Sequence, residues 1–389
     1  MANSFSFDSQ ELLAAARAET GLSDFGPEDF REGLDVLVCA LNTEVDVPTD
    51  RAIPLRENIL RLLKNRLWFQ KDLDDHPEIL DEEIHSPIII TSLPRTGSTK
   101  LQRLLAASGD FQALHYWKAH MFARRPGLPE GGKAERIAET RAYEKWVYEV
   151  SPNMITGHPI FTDEPEEEFH LMNCSFRTIS MSIYGSDTHN QWLATSDPAP
   201  GYDYLKKQLQ YLQWQFPAER AKPWLLKTPV HFGMEHHLER IFDNPRFIVT
   251  HRDPAAVVPS VANITQNWTV VYAKPVSDES IRSSMTQMCA SQVASHMHWR
   301  QASQDARILD LGFNEINASD LVVIKKVYDK LGLNWTETAE QAMWRWSSEN
   351  PRNKHGKNRY SAQALGTTNE EIRAGFCDYI AKFGEFLSI

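Results

Sequence analysis

Apolar residues recur at three- and four-residue spacing through the first 85 positions. Leu34, Leu37, Val38 and Leu41 form one stripe, and Ile59, Leu62, Leu63 and Trp68 form another. That period puts each set on one face of an amphipathic helix. Asp24 and Asp29 stand where N-caps belong, and Pro48 and Pro54 punctuate the pattern, so residues 1–85 read as a helical N-terminal extension. The period then changes. Pro87 to Leu93 is a short, β-branched and continuous apolar run, the signature of a buried parallel strand. Helical spacing resumes from Thr99 to Ala107. Trp224 to Lys227 predicts another short strand, followed by a helix from about Met234 to Phe242. Arg246 to His251 predicts a further buried strand, with a helix beginning over Ala255 to Asn263. From about Glu279 onward the chain reads as mostly helical, broken by a basic loop at Asn350 to Tyr360. Strand, helix, strand, helix is the rhythm of an α/β fold with a central parallel sheet.

Between His115 and Phe216 the chain is rich in rings: Trp117, Trp146, Phe161, Phe169, Phe176, Tyr184, Trp192, Tyr202, Tyr204, Tyr211, Trp214 and Phe216. Singly these read as packing between helices, and together as candidates to line a lipophilic pocket. With 389 residues, 42% of them hydrophobic, the chain buries a large core without disulfides or a structural metal. The four cysteines, Cys39, Cys174, Cys289 and Cys377, are far apart and form no ligand pattern. All four read as reduced packing residues, as expected in the cytoplasm. A net charge of −11 argues against nucleic-acid binding, so any anion site is local. No segment has the apolar length of a membrane span, and the polar N-terminus is unlike a secretory leader.

The candidate chemistry begins at Pro94-Arg-Thr-Gly-Ser-Thr99, between the first strand and the next helix. Successive backbone N–H groups and the positive end of the helix dipole favour an anion there. Gly97 lets the backbone approach closely, Thr96, Ser98 and Thr99 carry hydroxyls, and Arg95 carries a fixed charge. A nucleotide kinase or hydrolase would need GxxxxGK[ST] with its lysine and Mg²⁺, and that spacing is absent. No GxGxxG follows any strand, which argues against a dinucleotide fold. A second anion site is predicted where the strand ending at His251 gives way to Arg252. Ser260 follows eight residues on, close enough in a helix for both to reach one phosphate. Two such sites imply a ligand with two separate phosphates.

Leu-Pro-Arg-Thr-Gly-Ser-Thr at Leu93 to Thr99 resembles the 5′-phosphosulfate loop of sulfotransferases. Leu-Lys-Thr-Pro at Leu226 to Pro229, the strand from Arg246, Arg252 with Ser260, and the segment Asn350 to Lys357 resemble later segments of that family in the same order. The resemblance implies a P-loop-like three-layer α/β domain over residues 86–389, with a helical acceptor-binding insertion around 115–220. It implies 3′-phosphoadenosine 5′-phosphosulfate as donor, no metal, and a small hydroxylated acceptor. Arg95 to Thr99 would hold the 5′-phosphosulfate, and Arg252 and Ser260 the 3′-phosphate. Arg352, Lys354, His355, Gly356 and Lys357 would close over the nucleotide, and Lys227 would lie near the transferred group. The sequence departs from the pattern at three places. Lys100 stands where animal members carry a tryptophan against the adenine, Pro229 where they carry a catalytic histidine, and Phe313-Asn-Glu315 where bacterial members carry a tyrosine-centred motif.

Sulfuryl transfer demands in-line positioning, charge stabilisation and a base for the acceptor hydroxyl. Two candidates for that base stand level. Glu164 belongs to the acidic run Asp163-Glu-Pro-Glu-Glu-Glu168, which resembles a signature of the bacterial group, and His231 lies close after Lys227. Arg95 and Lys227 complete the expected catalytic set. An ATP-dependent kinase or hydrolase, and a nucleotide-binding protein without catalysis, remain as alternatives. The acceptor reads as lipophilic on the strength of the rings; a homodimer is the candidate assembly.

Overall fold

The protein is described by a computed structural model covering residues 5–178, 185–303, 305–351, 354–356, 360–387 and 389. Its centre is a five-stranded, all-parallel sheet in the order β2-β3-β1-β4-β5. The strands are β1 Ile88–Thr91, β2 Gln112–Ala113, β3 Trp224–Lys227, β4 Arg246–His251 and β5 Ile308–Gly312. β1 is flanked by β3 and β4, with Ile88 opposite both Leu225 and Arg246. Successive strand side chains point to opposite faces. Ile88 and Ile90 therefore pack with Leu101, Leu104 and Leu105 of helix α4 (Ser98–Ala107) and with the helices Asp320–Leu331 and Glu337–Glu349. Ile89, Leu226, Phe247 and Val249 turn the other way, onto Val257, Val258 and Val261 of the helix Pro254–Tyr272 and Trp299 of Asp278–Ala302. The result is the α/β fold expected from the strand–helix rhythm, in the three-layer arrangement that the resemblance implied. Each fully buried aliphatic side chain contributes about 1.5–3 kcal/mol.

The predicted strands and their following helices fall within a residue or two of the expected bounds. Two strands were not predicted. β2 is two residues long, too short to show a period. β5 carries Asp310 at its centre, and the residue is tolerated because it accepts from Arg300 Nη1 at 3.0 Å and lies 2.8 Å from His251 Nε2. The C-terminal part is otherwise helical.

Residues 9–75 form three helices, α1 Ser9–Thr20, α2 Phe30–Thr43 and α3 Thr49–Asp75, whose apolar faces share one core with the sheet. Asp24 accepts from the Gly26 N–H in a turn, and Asp29 precedes α2 without a side-chain capping bond. Arg66 of α3 is fully buried. Its guanidinium donates to the carbonyls of Phe25, Pro27 and Cys174 at 3.2, 2.7 and 3.0 Å. It also lies 4.0 Å from the Phe30 ring centroid and 4.4 Å from that of Tyr204. Arg66→Met orphans three buried acceptors and is expected to cost about 3 kcal/mol or more in urea unfolding. A change within about 1 kcal/mol, the worth of one ordinary hydrogen bond, would show that Arg66 does not tie these segments together.

The cysteine expectation is half corrected. Cys174 and Cys289 are buried, whereas Cys39 and Cys377 are exposed, because they fall on the outer faces of their helices. Among the described residues no helix is long and apolar enough to cross a membrane.

Candidate active site

Open parallel sheets bind ligands outside the carboxyl ends of their strands, where the strand order reverses. Here that place lies beyond β1, between β3 and β4, and a cavity of about 900 Å³ opens there. The loop after β1 forms one wall. Gly97 takes a left-handed φ of 90° as it enters α4, a conformation that favours glycine. Arg95 adopts φ 70°, unusual for a side-chain-bearing residue and held by the surrounding contacts. Thr96 is the peg of the loop. Its hydroxyl turns inward to Ser92 Oγ at 2.8 Å, the Leu93 carbonyl at 3.0 Å and Thr250 Oγ1 at 2.6 Å, which leaves only its backbone to a ligand. Ser98 and Thr99 line the cavity. Lys100 does not replace the tryptophan of the animal enzymes. It pairs with Asp320 at 2.5 Å and donates to the Ile316 carbonyl, so the wall beside the loop is formed by Phe313, Asn317 and Trp346.

The second predicted anion site meets the first. Arg95 Nε donates to Ser260 Oγ at 3.1 Å, so the Arg95 side chain faces the Arg252–Ser260 end and leaves the loop amides. Arg252 donates to the Arg95 carbonyl at 2.8 Å and to the Tyr360 hydroxyl at 3.2 Å, and stacks 4.1 Å above the Phe313 ring centroid. Neither guanidinium has a carboxylate partner among the described residues. Burial lowers the pKa of Arg95; Tyr360 works against this, the Arg252 charge adds to it, and Glu167 opposes it in smaller measure. Burial raises that of Tyr360, but the Ser260 hydroxyl and both guanidinium groups outweigh it and hold the phenol below its ordinary value. Two half-buried guanidinium groups side by side, neither in an ion pair with a carboxylate among the described residues, favour an anion here. Lys354, His355 and Gly356 form the opposite rim, with His355 5.4 Å from the Phe161 ring centroid. Arg352 and Lys357 lie outside the described residues.

Behind the cavity wall, β3 meets the acidic run, and Lys227 does not itself line the cavity but lies behind Thr99 and Glu167, which do. Lys227 is buried, donates to Thr99 Oγ1 at 3.2 Å and forms a short ion pair with Glu167. Thr228 Oγ1 donates to Glu167 Oε2 at 3.3 Å. Glu168 accepts from the Lys227 backbone N–H at 2.9 Å. Its other oxygen lies 2.8 Å from His231 Nε2, without the alignment of a hydrogen bond. His231 is fully buried, with Nδ1 3.1 Å from the Tyr202 hydroxyl, and does not line the cavity. Glu164 lines it at a half-exposed position, 3.9 Å from Arg103 Nε. Glu167 also lines it, and so the run presents two carboxylates. Glu166 is buried between His158 at 3.2 Å and Arg103 at 3.6 Å. Burial pushes its carboxyl up, but His158, Lys227 and Arg103 hold it well below the usual range.

The same cavity is also lined by a largely aromatic and apolar set, Tyr116, His120, Tyr143, Phe169, His170, Trp268, Tyr272, Met285 and Met288, called the chamber below. Burial lowers His170 to about 3 and His120 well below its ordinary value, so both are neutral at neutral pH. Of the rings singled out from the sequence, only Phe161 and Phe169 line this cavity among the described residues. Phe176, Tyr202, Tyr204 and Tyr211 are core, and Tyr184 lies outside the described residues. Aromatic content marks burial and does not say what is buried against what. Sequence reasoning missed Glu167, Tyr360 and the stacking role of Phe313. The basic loop ending at Tyr360 and the departure at Phe313 were the only signals for the last two.

A parallel sheet with a P-loop-like turn, a cation pair on the neighbouring strand end and a lysine beneath the turn defines an α/β anion-transferring enzyme. The model of the sulfotransferase family matches residues 87–337, and the chain belongs to that family. The structure is similar to that of sulfotransferase STF1 from Mycobacterium tuberculosis H37Rv: TM-score 0.77, 26% identity, 95% of this chain and 98% of that one covered. Sulfotransferase STF9 from Mycobacterium avium shares the fold: TM-score 0.85, 23% identity, 98% and 97% covered. No curated protein matches the chain.

Proposed function

We propose that the protein transfers the sulfuryl group of 3′-phosphoadenosine 5′-phosphosulfate to a hydroxyl of a small acceptor with an apolar body. The observation that carries this reading is the pair of anion-seeking surfaces in one cavity. The turn over Gly97 to Thr99 stands at one, and Arg95, Arg252 and Tyr360 at the other, with Ser260 fully buried behind them and off the cavity wall. A nucleotide with separate 5′ and 3′ charges fits both. Trp346 and Phe313 supply rings on the adenine side, where Lys100 is engaged elsewhere. The donor supplies an activated sulfuryl group. The loop amides and Lys227 stabilise charge on the departing 5′-phosphate. Glu167 takes the acceptor's hydroxyl proton, since its carboxylate faces both the lysine and the acceptor chamber. His231 has no path to an acceptor, being enclosed by Tyr202 and Glu168. It serves instead to orient the segment after β3.

His158, Glu166 and Glu167 lie close enough for a cation, their ligand atoms within 4.8 Å. Arg103 and Lys227 already neutralise these carboxylates, which leaves an ion little to do. Transfer of labelled sulfate from the donor to phenols and hydroxylated lipids is therefore expected to survive chelation by EDTA. Loss of transfer on chelation, with recovery on adding Mg²⁺, would favour a metal-dependent kinase-like chemistry. The reading as a whole fails if calorimetry shows no binding of adenosine 3′,5′-bisphosphate.

A further inference from the structure

The proposed acceptor chamber is lined by a cation, Arg61, that forms no ion pair among the described residues. Asn58, Arg61 and Asn65 of α3 are polar residues at three- and four-residue spacing, with the buried apolar residues Ile59, Leu60, Leu62 and Leu63 between them. Asn65 Nδ2 donates to the His120 carbonyl at 3.3 Å, and its Oδ1 accepts from the Ala123 N–H at 3.2 Å. Asn58 and Arg61 face the chamber. A guanidinium has five N–H groups. Arg61 Nη1 donates to the His120 carbonyl at 2.5 Å, and Nη2 and Nε to Asn58 Oδ1 at 2.9 and 3.3 Å. One N–H on each terminal nitrogen is left over, and among the described residues no carboxylate forms an ion pair with Arg61: Glu57, one turn earlier on α3 and also lining a smaller adjoining cavity, is paired with Arg56 at 3.0 Å.

The surrounding cations behave differently. A smaller cavity of about 330 Å³ adjoins the chamber and shares Asn58, Arg61, His120, Tyr143 and Tyr272 with it, so Arg61 stands at the neck between them. Around that annex Lys64 is paired with Glu19 at 2.8 Å and Arg125 with Glu139 at 2.5 Å. Arg61 alone of these three keeps its charge uncompensated, although half buried. A desolvated guanidinium without a counter-charge is costly, and its two free N–H groups match the two oxygens of a carboxylate. Neither His120 nor His170 supplies a competing charge, because burial keeps both neutral.

We propose that the acceptor is a hydroxylated carboxylic acid. Its hydroxyl reaches Glu167, its apolar body lies along Tyr143, Trp268, Tyr272 and Met285, and its carboxylate is taken by Arg61 at the neck. The proposal rests on the reading of Glu167 as the transfer end of the chamber.

The test compares acids with their methyl esters as acceptors, using 12-hydroxydodecanoate and a phenolic acid with labelled donor. Wild-type kcat/KM is expected to favour each acid by about tenfold or more, the worth of a charge-assisted pair. Arg61→Gln should bring acid and ester within about twofold, and Arg61→Lys, which keeps the charge without the fork, should retain part of the preference. Dodecanoate and dodecanol, titrated by calorimetry into protein saturated with adenosine 3′,5′-bisphosphate, read the same site without turnover. Equal affinities for the two in the wild type, or an acid preference unchanged in Arg61→Gln, would overturn the proposal. The bisphosphate affinity itself should be the same in all variants. If the bisphosphate does not bind at all, the donor reading falls, and dodecanoate titrated into the free protein still decides the Arg61 site.

Discussion

Replacing Arg252 with alanine is expected to weaken binding of adenosine 3′,5′-bisphosphate by about a hundredfold, close to 2.7 kcal/mol. The side chain does three jobs at one place. It supplies charge, fixes the Arg95 carbonyl and so the entrance to the loop, and orients Tyr360 while stacked on Phe313. Its removal leaves Arg95 as the single guanidinium beside Ser260. Calorimetry reads the affinity, and far-ultraviolet circular dichroism checks that the sheet persists. Adenosine 5′-phosphate, which lacks the second phosphate, should bind the variant and the wild type with affinities closer together than those for the bisphosphate. Unchanged bisphosphate affinity would remove the second anion site from the account.

Glu167→Gln is expected to lower kcat by about a hundredfold to ten-thousandfold, the range for loss of a general base. Bisphosphate affinity should stay within a few-fold, because the nucleotide contacts lie on the loop, Arg95 and Arg252. The variant removes the partner of a buried ammonium and will lose stability as well, so the comparison is made at a temperature where both proteins are folded. Glu164→Gln is the companion measurement. If Glu164→Gln loses turnover and Glu167→Gln does not, the base moves to the rim of the cavity.

The proposed donor side of the site was legible because it is local in sequence. A β-branched run, a turn with Gly97 and a helix with Leu101, Leu104 and Leu105 together announce an anion loop within 20 residues. The step from β4 to Arg252 and Ser260 has the same local character. The acceptor side was not legible, for three physical reasons. The acidic run sits in an irregular segment with no period to say which carboxylate faces inward. The structure points Glu167 at Lys227, Glu166 at His158 and Arg103, and Glu168 at the β3 backbone. His231 looked catalytic from its proximity to Lys227 in the chain, yet the turn after β3 carries it to the far side of the strand end. The chamber wall is assembled from α3, the region 116–173 and the helices Pro254–Tyr272 and Asp278–Ala302, which no local pattern brings together.

The buried contact between Lys227 and Glu167 also bears on the order of events. One ammonium cannot neutralise both this carboxylate and a departing phosphate. While the nucleotide site is vacant the carboxylate is quenched by its neighbour, and an acceptor that arrives early meets no proton acceptor. With the proposed phosphosulfate as donor, its arrival would draw the ammonium toward Thr99 and free the carboxylate. On that reading the nucleotide enters first, and the hydroxyl is activated only in a protein already loaded with the group it is to receive.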